Sequence, residues 1–179
     1  YKENVYMKTR SSRDTVYQLS GTQWIPYLYL DMGKYQMPIE YEAWYSEDAY
    51  NKNAINYWNI PRLEEDDRYF FFTAVRQKYI QKGENENDCK FIIYDKKAKE
   101  GFVVKDENGM KITDDILGGP NFWPRWSTDN FYITTMEWSD LEQWTKEEKH
   151  ILSPTLQEQF ETWGEDTNQL IVLCKKNNI

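Results

Sequence analysis

Three residues able to bind a ligand lie close together in one segment, residues 113–126. Trp123, Arg125 and Trp126 combine two flat rings with a planar guanidinium, and such groups bury contact area with little loss of conformational entropy. This spacing predicts a stacking platform for a sugar or a peptide. The same Phe-Trp-Pro run also suits an interior corner that packs against neighbouring strands. This packing interpretation is the favoured one, and it predicts that Trp123 contributes more to stability than Trp126.

An acidic pair in the same segment suggests a second kind of site. Asp115 follows another aspartate and precedes a Gly-Gly pair, and carboxylates with open backbone N–H groups suit a cation or a phosphate. The segment lacks both the EF-hand spacing and a P-loop lysine. We therefore interpret the glycines as a chain-reversing turn, keep Asp115 as a candidate binding residue and predict no metal or cofactor.

The sequence contains few candidate residues for acid–base catalysis. The acidic runs 64–67 and 147–148 could supply the two carboxylates of a glycosidase, but neighbouring residues on a loop rarely flank one bond. We interpret both runs as solvated acidic surface. His150 is the single histidine and lies in a Lys- and Glu-rich stretch, where a surface cation near a helix end is the simpler role.

Charge and hydropathy exclude two classes of partner. Thirty acidic residues against 22 basic ones give a net charge of -8, which repels phosphate backbones and predicts no nucleic-acid partner. No apolar run approaches the roughly 18 residues of a membrane-spanning helix. Cys89 and Cys174 have no C-x-x-C spacing, so they predict neither a disulfide framework nor a zinc site.

The elements that must position these residues are mostly strands. Aromatic residues make up 17% of the chain, and large rings suit pleated, half-buried surfaces. Polar–apolar alternation and Gly-containing turns predict a hairpin over 14–30 and a second over 91–104. The uncharged run 69–75 predicts a strand buried on both faces. Further strands are expected at 4–8, 130–136 and 170–175, with a charged loop at 82–88.

Helix signals are confined to two regions. A short helix is expected at 40–50, and a helical insertion is expected between 139 and 164, where apolar residues recur at spacings of three and four. Ser153 before Pro154 is a typical N-cap, and Gly164 is a typical C-terminal stop. The fold class predicted from these patterns is all-β with a helical insertion near the C-terminus.

A family resemblance rests on several motifs in order along the chain. The most specific is Asp-Ile-x-Gly-Gly-x-x-Phe-Trp-Pro, and the others lie at 13–19, 27–35, 67–72, 93–97, 152–154 and 170–173. With these motifs the chain resembles the TolB-like six-bladed β-propeller proteins of Bacteroides-type bacteria.

The resemblance implies β-propeller blades and a cell-envelope lipoprotein with no catalytic residues to transfer. At about 40 residues per blade, the chain holds about three of six blades. We therefore expect residues 1–179 to be a single partial propeller domain, the C-terminal portion of a longer chain, whose missing N-terminal half is a partner. An immunoglobulin-like sandwich is the rival fold, disfavoured by the helical insertion.

The function expected from this combination is a non-enzymatic binding or scaffold module of the bacterial cell envelope, with a protein or glycan as ligand. Two alternatives remain open because propellers host many functions. One is a carbohydrate-active hydrolase or lyase that uses an Asp or Glu beside the aromatic platform. The other is an accessory subunit of an outer-membrane uptake assembly.

Overall fold

A computed structural model describes the residues 5–8, 13–41, 52, 55–79, 85–104, 112–114, 117–146, 151–163 and 169–176. The chain divides into two compact units, Tyr1–Val103 and Val104–Ile179. The first unit holds two antiparallel sheets, and the second holds one sheet and two α-helices. The expectation of one domain over 1–179 stays a prediction.

The first unit contains seven described strands. A three-stranded sheet in the order β1-β2-β3 is formed by β1 (Tyr6–Met7), β2 (Thr15–Ser20) and β3 (Gln23–Tyr29). A four-stranded sheet in the order β4-β5-β6-β7 is formed by β4 (Asn59–Glu65), β5 (Tyr69–Tyr79), β6 (Asn85–Asp95) and β7 (Glu100–Val103). Short 3-10 turns lie at Gly33–Tyr35 and Ile39–Tyr41.

The second unit contains three strands and two helices among its described residues. The sheet has the order β10-β9-β8 and consists of β8 (Trp126–Ser127), β9 (Phe131–Met136) and β10 (Leu170–Lys175). Between β9 and β10 lie α1 (Trp138–Thr145) and α2 (Pro154–Thr162). Neither helix, nor any other in the described residues, is long and apolar enough to cross a membrane.

Both predicted hairpins are confirmed. The first turns through Gly21, whose φ of 61° lies in the left-handed region that glycine adopts without strain. The second joins β6 to β7 through a lysine-rich turn, where Lys99 takes a φ of 59°. The N-cap is also confirmed, because the Ser153 hydroxyl accepts a hydrogen bond from the Leu156 amide.

Other local expectations need correction or cannot be compared. The charged loop expected at 82–88 is wrong in part, because β6 already begins at Asn85 and pairs with the long strand β5. The helix expected at 40–50 falls mostly on residues outside the described part, apart from the 3-10 turn Ile39–Tyr41. Gly164 and His150 also lie outside it.

The propeller expectation is wrong. Among the described residues the strands form three small separate antiparallel sheets with no closed or propeller arrangement. A propeller repeats equivalent four-stranded blades around an axis. Here only one sheet has four strands, the other two each contain a two-residue strand, and two helices separate β9 from β10. The similar turn-strand patterns along the chain are hairpin signals rather than blade repeats.

Strand β5 forms the core of the first unit, as the uncharged run 69–75 predicts. Five consecutive residues, from Phe70 to Ala74, are buried. Because alternate side chains point to opposite faces, this run requires cover on both sides of the sheet. On one face lie Phe70, Phe72 and Ala74 with Ile60, and apolar residues of the three-stranded sheet and the segment after it pack against them, including Leu28, Leu30 and Met32.

The acidic run at 64–67 is only in part the solvated surface that we expected, because Asp67 is exposed but the two residues before it are not. Glu65 and Asp66 are only 8% and 3% exposed. The Asp66 carboxylate accepts hydrogen bonds from the amides of Arg68 and Tyr69 at 2.8 and 2.6 Å, which closes the turn between β4 and β5. Asp95 does the same in the turn between β6 and β7, where it accepts from the two amides at positions 97 and 98.

The two turns are also bonded to each other. The Arg68 guanidinium in the first turn donates to Asp95 in the second, with two contacts of 3.0 Å. In return the Lys96 ammonium of the second turn contacts Glu65 at 2.8 Å and donates to the Asp66 carbonyl oxygen. Such reciprocal bonds satisfy the buried carboxylates, which otherwise would be costly in the interior.

The first prediction concerns the burial of β5. Phe71→Asp should place an unpaired charge in the interior and lower the free energy of unfolding by about 3–5 kcal/mol. Phe102 lies in the same cross-strand row, through Ile93, but is 52% exposed. Phe102→Asp is therefore the matched control and should cost under about 1 kcal/mol. Equal losses in urea unfolding of the two variants would refute the assigned burial.

The second prediction concerns acid stability. The Ala98 amide contributes most to holding the pKa of Asp95 below its ordinary value, against the opposing effect of burial, with help from Arg68 and the Lys97 amide. This stabilisation is present above about pH 4, the pKa of an unfolded aspartate, and is lost as the pH falls through the lower folded-state value.

We therefore expect the stability difference between wild type and Asp95→Asn to shrink between about pH 6 and pH 2 in urea unfolding. Asp129, which is exposed, gives the control Asp129→Asn, whose effect on the free energy of unfolding should be under about 1 kcal/mol. A difference for Asp95→Asn that is the same at every pH would contradict the proposed role of the ionised carboxylate.

Candidate binding surface

The structure separates the predicted platform residues by burial. Trp123 is only 7% exposed, whereas Trp126 on β8 is 51% exposed and Arg125 beside it is exposed as well. The Arg125 amide donates to the Ile133 carbonyl oxygen at 2.8 Å, which anchors this segment to β9. Asp115 lies outside the described residues. The binding role of these four residues stays a prediction.

Trp126 belongs to a larger exposed face that the sequence analysis missed. It is paired with Ile133 of β9, and Ile133 is paired with Leu173 of β10. Directly opposed residues share one face of a sheet, so the three side chains form a row across all three strands. Ile171 is paired with Thr135 on this face in the next row. We call these residues, Trp126, Ile133, Leu173 and Ile171, the outer face.

The outer face is apolar and accessible. Leu173 is 56% exposed and Ile171 is 70% exposed, whereas the intervening β10 residues Leu170, Val172 and Cys174 are half-buried. On β9 the opposite face includes the buried Thr134. The continuous apolar run of β10 predicts burial on both sides, so no local signal distinguishes its exposed side from its covered one.

Polar contacts order the loop before β8. The Asp114 carboxylate accepts hydrogen bonds from the amides of Leu117 and Gly119 at 2.9 and 3.2 Å. The Trp144 indole donates to the Gly118 carbonyl oxygen at 3.0 Å. Gly118 has a φ of 70°, and a Cβ there would lie 2.2 Å from the Ile151 carbonyl oxygen, so only glycine fits. The Gly-Gly pair thus serves the turn.

Apolar and aromatic contacts involve both helices of the second unit. Leu141 of α1 is fully buried and Leu156 of α2 is 9% exposed. The rings of Trp138 and Phe160 stack with their centroids 5.7 Å apart.

Burial raises the pKa of the Cys174 thiol on β10, and the Asp114 carboxylate adds to this effect. This thiol is therefore a poor nucleophile at neutral pH. Neither it nor the other cysteine forms a disulfide in the described part.

A second cluster, in the first unit, contains acid–base groups. The Tyr27 hydroxyl donates to Glu65 at 2.5 Å, and the Lys96 ammonium contacts the same oxygen at 2.8 Å. Burial, together with the hydrogen bond to Glu65, raises the pKa of Tyr27 well above its ordinary value. A phenol held protonated in this way is no base at neutral pH. The cluster joins β3 to the four-stranded sheet.

The described part of the chain shows no cluster of metal-binding side chains. There, no group of three or more His, Cys, Asp or Glu side chains is placed to hold a metal ion. The outer face itself offers aliphatic carbon and one indole. Such a surface can bury apolar area against a partner and stack or hydrogen-bond at its margin.

The third prediction separates packing from binding in the aromatic segment. Trp123→Ala should lower the free energy of unfolding by about 3–5 kcal/mol, because it removes a buried ring. Trp126→Ala should cost under about 1 kcal/mol, because the ring is half exposed. Thermal unfolding of the two variants compares the losses. Similar, negligible shifts for both would favour a platform that includes Trp123.

Comparison with known proteins gives a family and a similar fold. A crystal structure described as that of a "putative exported protein" from Bacteroides fragilis aligns with 97% of this chain, at 15% identity and a TM-score of 0.55. This chain spans 48% of the length of that one, and the likeness concerns the fold alone. No curated protein gives a significant match. A family model described as a domain of unknown function, DUF4934, matches residues 1–175. Since this match covers nearly the whole chain, the protein belongs to the DUF4934 family.

Proposed function

We propose that the protein is a non-enzymatic binding or scaffold module of the bacterial cell envelope, and that the outer face of the second unit is its binding surface. The observation that carries this proposal is the row Trp126–Ile133–Leu173, which crosses three strands in register with large exposed fractions at both ends. Clustered apolar surface of this kind, rather than single exposed residues, is typical of interaction sites.

A protein partner fits this face better than a glycan. Glycan platforms use flat rings, and Trp126 contributes one exposed indole while Trp123 is buried. Leu173 and Ile171 instead supply aliphatic area, which forms the centre of protein interfaces. Arg125 is next to Trp126 in the sequence and is also exposed, so it is a candidate for a hydrogen bond at the rim of such an interface.

The cell-envelope location is supported by the fold likeness to a Bacteroides fragilis protein that is described as a "putative exported protein". The acid–base groups of the first unit favour a non-enzymatic role, because the carboxylate of Glu65 is paired with Lys96 and that of Asp95 with Arg68. Both carboxylates are used to join the ends of strands.

The proposal is tested by thermal shift with two defined panels, synthetic apolar peptides and bacterial-envelope oligosaccharides, followed by a turnover assay on each hit. Peptides that raise the melting temperature of wild type should fail to do so for Trp126→Ala and for Ile171→Ser. Tyr29→Ala is the matched control, because Tyr29 is 65% exposed but lies in the first unit. It should keep the shift.

Two results would overturn the proposal. One is a peptide shift that persists in Trp126→Ala and Ile171→Ser but is lost in Tyr29→Ala. The other is product formation from an oligosaccharide that a single carboxylate substitution abolishes, because that result would identify an enzyme.

A further inference from the structure

The edges of the three sheets differ in how well they resist pairing with another strand. Edge strands are normally protected by shortness, proline, bulges or charge. Strands β1 and β8 have only two residues. Strands β3 and β4 each contain a proline and a register irregularity, and β7 has four residues with a glycine.

Strand β10 has only one of these protections, the charge of its last residue, Lys175. It has six residues, contains neither proline nor glycine, and keeps a regular register with β9 along its whole length. Within the described residues it pairs with β9 alone, at the edge of its sheet. Its outer-face residues Ile171 and Leu173 are exposed. A second strand added here would extend the ladder and place its own side chains beside these two on the same face.

The two ends of β10 carry opposite charge. At the N-terminal end Gln169 donates a hydrogen bond to Glu137, whose carboxylate is exposed. At the C-terminal end lies Lys175, which is also exposed. An antiparallel copy of the same strand brings each positive end to the negative end of the other. A parallel copy would place like charges together.

We propose that two copies of this chain associate through β10, antiparallel and about a two-fold axis, to form a continuous six-stranded sheet. This interface is isologous and closed, as is usual for homodimers. The inference goes beyond the proposed function and does not depend on it, because it concerns the edge of the sheet and a second copy.

A register centred on Leu173 agrees best with the side-chain pattern. It places the two Leu173 side chains opposite each other on the outer face and Lys175 of each copy opposite Ile171 of the other. Lys175 then lies within two residues of Gln169 and its bonded Glu137 in the second copy. Apolar contact forms at the centre, and charge complementarity forms at both ends.

Sedimentation over a concentration series from about 1 to 500 µM tests the association. Wild type should show a monomer–dimer equilibrium. Leu173→Lys should abolish the dimer, because two ammonium groups would meet at the axis. Lys175→Glu should weaken it at least about fivefold, because both ends lose an attraction. Phe102→Lys, on the exposed edge strand β7 of the first unit, should leave it unchanged.

Cross-linking tests the register on folded protein. In a Cys89→Ser/Cys174→Ser background, Leu173→Cys should form an intermolecular disulfide under mild oxidation, because opposed residues of antiparallel strands lie within disulfide distance. Phe102→Cys in the same background should not. A synthetic peptide of residues 169–176 should compete with dimer formation.

The proposal is overturned if wild type remains monomeric at about 500 µM. It is also overturned if Phe102→Lys removes the dimer while Leu173→Lys and Lys175→Glu keep it, or if Leu173→Cys and Phe102→Cys cross-link equally. Circular dichroism of each variant confirms that the substitutions at these exposed positions leave the fold intact.

Discussion

Burial of β5 on both faces is the constraint on which the first unit depends. A strand with five consecutive buried residues cannot be an edge strand, and neither face of its sheet can be open to solvent along this run. It therefore takes neighbours on both sides, β4 and β6, and cover on the Phe70 and Phe72 face. Leu28 and Leu30 supply part of this cover, so the three-stranded sheet is positioned by the same apolar contacts.

The ends of these strands need a different kind of interaction, because chain reversal leaves backbone amides without ladder partners. Asp66 and Asp95 supply acceptors for those amides, and their burial makes the match necessary rather than incidental. Arg68 and Lys96 then cross between the turns. The strand ends are consequently held by five charged residues, Glu65, Asp66, Arg68, Asp95 and Lys96. The first two belong to the acidic run that we expected to be solvated surface.

The sheet of the second unit is covered less completely than strand β5 of the first unit. Its β10 strand has one half-buried side and one exposed side, and the exposed side combines with Trp126 to give the outer face. Local order around it comes from the Asp114 contacts and from Gly118, where a side chain would collide with the backbone.

The sequence by itself determined the features that depend on near neighbours along the chain. The two hairpins, the buried strand from residue 69 and the Ser153 cap follow from alternation, turn residues and side-chain reach, which act over a few positions. The aromatic segment around Trp123 was also visible, as was the larger part of Trp123 in packing, and the structure adds the exposed fractions of the two rings.

Only the tertiary structure decided which surfaces are covered and how the strands are grouped. The burial of Glu65 and Asp66, the exposure of Leu173 and Ile171, and the three separate sheets in place of propeller blades depend on contacts between distant segments. Alternation of polar and apolar residues shows only that the two faces of a strand differ. A continuous apolar run such as β10 does not show even this difference. Which side meets the core is set by packing that no local pattern encodes.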